Sequence, residues 1–109
     1  MDFDKYQKEA KKLAKYPRIG RNFIYPTLGL AGEAGEVAEK VKKIFRDDKN
    51  RITKKRREEI KKELGDLMWY LAQTATEFGM SLKDIAEDNI KKLNSRKKRG
   101  VISGDGDNR

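Results

Sequence analysis

The chain contains no cysteine and no histidine. The first absence excludes a disulfide framework and any thiolate metal site. The second removes the commonest general base, imidazole zinc sites and every histidine-dependent triad. A metal ion bound here must be held by oxygen ligands, which favours Mg²⁺ or Mn²⁺. Proline occurs only at Pro17 and Pro26, so long uninterrupted helices are possible. No apolar run approaches the ~20 residues of a membrane span. The opening stretch MDFDKYQKEA lacks the apolar centre of a signal peptide. A cytoplasmic protein with no membrane partner is expected.

What is present is charge. Of 109 residues 41% are charged and 36% hydrophobic, with a net charge of +9. The length fits one domain with a modest core, which oligomerisation would supplement. The positive balance implies affinity for anions: nucleic acid, an acidic membrane surface or phosphorylated small molecules.

The hydrophobic spacing predicts four helices. Asp2 to about Lys15 carries a thin stripe of Tyr6, Ala10, Leu13 and Ala14. Pro17 ends it by biasing Tyr16 away from helical geometry. A second helix starts near Pro26 or Thr27, with proline in a first-turn position, and runs to about Phe45. Thr53 is the expected N-cap of a third helix reaching Phe78, with Gly79 as its stop. Ser81 with Asp84 forms a variant capping box for a fourth helix ending near Arg96. The glycine-rich GVISGDGDNR reads as a loop or disordered tail. The expected fold is an all-α, four-helix bundle-like single domain over residues 1–99 with a tail over 100–109.

The second helix carries GEAGEVAEK, with two glycines and Glu33, Glu36 and Glu39 at three-residue intervals. Each internal glycine costs roughly 1 kcal/mol relative to alanine. On a wheel with Leu30 at zero, Leu30, Ala34, Val37, Val41 and Ile44 fall within about 40°, Glu33 at about 300°, Glu36 at about 240° and Glu39 at about 180°. In the third helix, with Ile60 at zero, Leu64, Leu67, Leu71 and Phe78 form the core face, and Glu63 and Asp66 take the same offsets of about 300° and 240°. EAGEVA at 33–38 and ELGDLM at 63–68 are thus a short internal repeat, with Gly35 and Gly65 in equivalent slots. Gly32 has no counterpart, since Lys62 stands there, and Glu39 reads as surface charge. Glycine between the acids would leave room for a neighbouring helix or for bound metal and phosphates. If the two helices pack antiparallel, four carboxylates converge. Such a group would take up protons unless a cation compensates it, and a hard divalent ion is the simplest compensation. A lone acid pair of this kind is ordinary surface charge; two at one core-relative angle are harder to dismiss.

This pattern resembles the MazG-like nucleotide pyrophosphohydrolases of the all-α NTP pyrophosphatase superfamily. The matching residues are Glu33-Ala34-Gly35-Glu36 and Glu63-Leu64-Gly65-Asp66, with 26 residues between Glu36 and Glu63. LGLAGEAGEVAEKVKK, KKELGDLMWYLA and DNIKKLNSRKKRG extend the similarity over roughly residues 25 to 109. The resemblance implies hydrolysis of a nucleoside triphosphate to the monophosphate and pyrophosphate with Mg²⁺ or Mn²⁺. It also implies a homodimer or homotetramer. Glu33, Glu36, Glu63 and Asp66 would be the metal ligands, and Asn89, Lys92 and Arg96, on one face of the fourth helix, would meet the substrate. For Lys92 and Arg96 the competing reading is a solvated basic run.

Phosphoanhydride hydrolysis needs neutralised phosphates and a positioned water. Without histidine, the available base is a carboxylate or water activated on the metal; Glu33 and Glu36 are the candidates, with no choice between them. Phe23, Tyr25 and Trp69 are candidates for stacking on a base, although Trp69, at about 180° on its wheel, equally suits a subunit interface. The basic runs KKRR at 54–57 and RKKR at 96–99 supply the alternative, a helical nucleic-acid-binding protein. Interleaved acids and the lack of a helix-turn-helix signature make nucleic acid the weaker partner. A purely structural helical module is the third reading.

Overall fold

The computed structural model describes residues 1–109. It consists of four helices and no strands: α1 (Phe3–Lys12), α2 (Ile24–Asp47), α3 (Lys54–Glu77) and α4 (Leu82–Arg99). None is long and apolar enough to cross a membrane. The helix starts follow their capping side chains. The Asp2 carboxylate accepts from the Lys5 amide at 2.8 Å, the Thr53 hydroxyl from Arg56 at 3.2 Å and the Ser81 hydroxyl from Asp84 at 3.2 Å. Helix α2 starts two residues before Pro26, where Asn22 Oδ1 accepts from the Tyr25 amide at 3.0 Å. Helix α1 stops short of Lys15, and α4 runs past Arg96 to Arg99 before Gly100 closes it at φ 71°.

Helices α2 and α3 form an antiparallel hairpin. Partners descend along α3 as they ascend along α2: Phe23 lies against Phe78 with ring centroids 5.2 Å apart, Lys40 pairs with Glu59 at 3.6 Å, and Asp48 with Arg56 at 2.8 Å. Between these, a Cβ added at Gly29 would overlap the edge of the Tyr70 ring. Gly29 is therefore the glycine that permits close packing in this hairpin. Gly35 and Gly65 face open space, so within one chain they do not serve helix approach.

Helix α1 lies across α3 and α4. Ala10, Ala72 and Leu82 are buried together, with Tyr6 and Trp69 packed against them. Trp69 donates its indole N–H to the Ala10 carbonyl at 3.2 Å, so the outer face of α3 is covered by α1 rather than left for a base. Gln7 ties α1 to the α3–α4 turn, accepting from the Leu82 amide at 2.8 Å and donating to the Met80 carbonyl at 2.9 Å.

Helix α2 packs only on α3. Of the residues the wheels assign to the core, Ile44 is buried, but Val41, Leu64, Leu71 and Phe78 are between 39% and 51% exposed. Phe45 and Leu28 are more exposed still. A hairpin has two long faces and a single chain of this size covers only part of them.

Candidate metal centre

The hairpin register brings the first acidic pair of α2 opposite the second pair on α3. Carboxylate oxygens of Glu33, Glu63 and Asp66 all lie within 4.8 Å of one another. Glu33 and Glu63 are half-buried and Asp66 is exposed. Burial first, then the neighbouring Glu63, Asp66 and Glu36 carboxylates, push the Glu33 carboxyl above the usual carboxylate range. Glu33 Oε2 is buried and has no hydrogen-bond partner. A buried carboxylate oxygen left without a donor is costly unless a cation or proton meets it. All three donors are hard oxygens, and the set fits a divalent ion of the Mg²⁺ or Mn²⁺ kind.

Glu36 stands apart from this group. It is exposed and close enough to act on Glu33, but its oxygens do not join the other three. Its offset of about 240° is the same as that of Asp66, which does join, so the wheel angle does not explain the difference. The structure thus brings together three of the four expected ligands.

Two tyrosines lie close enough to feel the cluster: Tyr70, which the sequence reading did not single out, and Tyr6, expected only as part of the α1 stripe. Burial, Tyr25, and the Glu33 and Asp66 carboxylates raise the Tyr70 phenol above its ordinary pKa; burial and Asp66 do the same for Tyr6. The signal for Tyr70 was available: it lies four residues after Asp66, on the same helix face.

The expected substrate residues lie elsewhere in this chain. Helix α4 makes no contact with α2. Asn89 is exposed, and Lys92 and Arg96 both turn to Asp107. The aromatic candidates are engaged too: Tyr25 stacks on Tyr16 at 4.7 Å, and Phe23 leans on Phe78. The basic runs are partly consumed internally, Arg56 by Asp48 and Glu59, and Arg96 by Asp107.

A small all-α chain with an antiparallel hairpin that gathers carboxylates from two matching acidic pairs defines a class of helical carboxylate proteins. The family model of the MazG nucleotide pyrophosphohydrolase domain matches residues 26–101, and the chain belongs to that family. It is also similar to the Gene 37 protein of Mycobacterium phage L5, with 48% identity over 114 residues covering 100% of both chains. No solved structure matches it.

Proposed function

We propose that this protein is a metal-dependent nucleoside triphosphate pyrophosphohydrolase that converts a (d)NTP and water to the (d)NMP and pyrophosphate. The observation that carries the reading is the convergence of Glu33, Glu63 and Asp66, with the unpartnered Glu33 Oε2 buried among them, in a MazG-family chain. Glu33, Glu63 and Asp66 would hold Mg²⁺ or Mn²⁺, with Glu36 swinging in as the fourth ligand. When bound, the ion supplies charge neutralisation for the phosphate oxygens and acidifies the attacking water.

The chain's own groups do the rest. Glu36, exposed beside the cluster, is free to orient water or accept its proton, and Glu33, whose carboxyl burial and the neighbouring carboxylates push up, is the competing base. Lys92 and Arg96, with Asn89, would meet the phosphates. Since α4 makes no contact with α2 in its own chain, a second copy is the natural source of these groups. The exposed apolar residues Val41, Phe45, Leu64 and Leu71 favour such self-association into a homodimer or homotetramer, with a cytoplasmic nucleotide as substrate. The test is pyrophosphate release from a panel of canonical and modified (d)NTPs with Mg²⁺, Mn²⁺ or chelator. Release from none of them with either ion would overturn the reading.

A further inference from the structure

The C-terminal residues, beyond the family match, are built rather than loose. Gly100, Gly104 and Gly106 take φ values of 71°, 140° and 84°, turning the chain back along α4. Arg109 then closes the loop on itself. Its guanidinium donates to the carbonyls of Val101 at 2.9 Å, Gly106 at 2.7 Å and Ile102 at 2.5 Å, while Arg99 donates to the Arg109 carbonyl at 2.7 Å. This closure aims Asp107 at α4. One Asp107 carboxylate oxygen accepts from Lys92 Nζ at 2.9 Å and from Arg96 Nη2 at 3.2 Å, and Arg96 also donates to the Asp107 carbonyl.

The two sides of this contact differ in exposure. Arg96 is 6% exposed, whereas the Asp107 side chain is 78% exposed. Arg96 forms a buried seat with the 39% exposed Lys92 side chain beside it, and the carboxylate is a solvent-facing group resting on both. Lys92 first, then Arg96, hold the Asp107 carboxyl below the usual range, so it sits there as an anion.

We propose that Asp107 is an internal anion occupying a phosphate subsite made by Lys92 and Arg96, and that a phosphate group must displace the 101–109 loop to bind there. The proposal rests on the pyrophosphohydrolase reading for its phosphate ligand, while the competing pairs stand on the contacts just described. A carboxylate carries a single charge and is easily exchanged for a di- or triphosphate, which brings more charge and more acceptor oxygens to the same donors.

The test is calorimetric binding of inorganic pyrophosphate to the full chain in EDTA, which keeps divalent ions and the carboxylate centre out of the measurement. Asp107→Asn keeps the size and the backbone contact but removes the competing charge. It is expected to bind pyrophosphate about fivefold more tightly than the wild type, the scale of an exposed ion pair. Lys92→Gln combined with Asp107→Asn is expected to lose that gain. Hydrogen exchange on the unaltered protein gives an independent measure: pyrophosphate should accelerate exchange over residues 101–109. Equal or weaker binding by Asp107→Asn, or slowed exchange in the loop, would overturn the proposal and make the loop a brace for Lys92 and Arg96. Hydrolysis of (d)NTPs with Mg²⁺ alongside unaltered Asp107→Asn binding sinks the displaceable loop alone. Absent hydrolysis with tighter Asp107→Asn binding sinks the enzymatic reading and leaves an anion site.

Discussion

Glu33 on α2 and Asp66 on α3 place carboxylate oxygens within 4.8 Å of each other across the hairpin, although 32 positions intervene in the chain. Like charges at that separation destabilise the fold that brings them together. Removing one should stabilise the metal-free protein and abolish the response to metal. Near-saturating Mg²⁺ or Mn²⁺, at about 100 times Kd, is expected to add about 2.7 kcal/mol to wild-type stability, raising Tm by roughly 10 °C in a domain of this size. Asp66→Asn should melt higher than the wild type in EDTA and show little further rise with metal. A full metal shift in the variant would remove Asp66 from the centre.

Glu36 is the sharper test of the chemistry, because it contributes little to the packed fold. It is exposed, so Glu36→Gln should melt like the wild type. Pyrophosphate release should fall by on the order of 100-fold, the typical loss when one group that stabilises the transition state is removed. A variant hydrolysing (d)NTPs at the native rate with Mg²⁺ would sink the assignment.

The glycines separate what could be read from the sequence from what could not. Gly35 and Gly65 stood out because their neighbours repeat, and the hairpin brings together three of the four carboxylates that the repeat marks. Of the two reasons given for them, room for a neighbouring helix fails within the chain, where both face open space, and room for bound metal and phosphates stands. Gly35→Ala should therefore stabilise the metal-free chain by up to about 1 kcal/mol through helix propensity. Any loss of activity would then report a ligand or second copy at that surface. Gly29, which no repeat marks, is the residue the hairpin needs. Gly29→Ala drives a methyl into Tyr70 and should cost about 1–3 kcal/mol by overpacking, read as a lower denaturant midpoint.

The helix starts at Thr53 and Ser81 were legible because capping is local: a hydroxyl meets an amide three residues on. The acidic faces were legible because helical periodicity fixes angles within one element. Which face a third element covers is a long-range matter. Trp69 read as an outer residue, and only the docking of α1 through Ala10 shows what covers it. The loop over 101–109 was illegible for the same reason. Its order comes from Arg109 reaching carbonyls three to eight residues away, which leaves no periodic trace.

Self-association follows from the half-covered hairpin. Val41 is 51% exposed and Leu64 47% exposed on faces the wheels mark as core. Light scattering should give a mass that is a multiple of the 12.6 kDa chain. Val41→Glu with Leu64→Glu should reduce it to a single chain, with pyrophosphate release falling in parallel if the partner supplies α4. A dissociated variant with native activity would show that one chain holds a complete site.

Glu77 gives the fold a predictable response to pH. Its carboxylate accepts from the Tyr16 hydroxyl at 2.5 Å, the Gly20 amide at 2.8 Å and the Asn22 amide at 3.1 Å, fastening the α1–α2 connection to the end of α3. Burial pushes this carboxyl up, but the three donors outweigh it and hold the group below the usual range. A carboxyl depressed in the folded state contributes stability above its unfolded pKa and loses it as pH falls through the folded value. The same contact works in reverse on Tyr16, which burial and the Glu77 hydrogen bond push up to about 12 from 10.0. A raised phenol contributes stability that is complete below its unfolded pKa and is lost as pH rises from about 10 to about 12. Glu77→Gln should lose about 2 kcal/mol at neutral pH, the scale of a hydrogen bond to a charged group. It should also flatten the acid limb of a Tm-versus-pH curve relative to the wild type. An unchanged acid limb would show that other carboxyls govern acid unfolding.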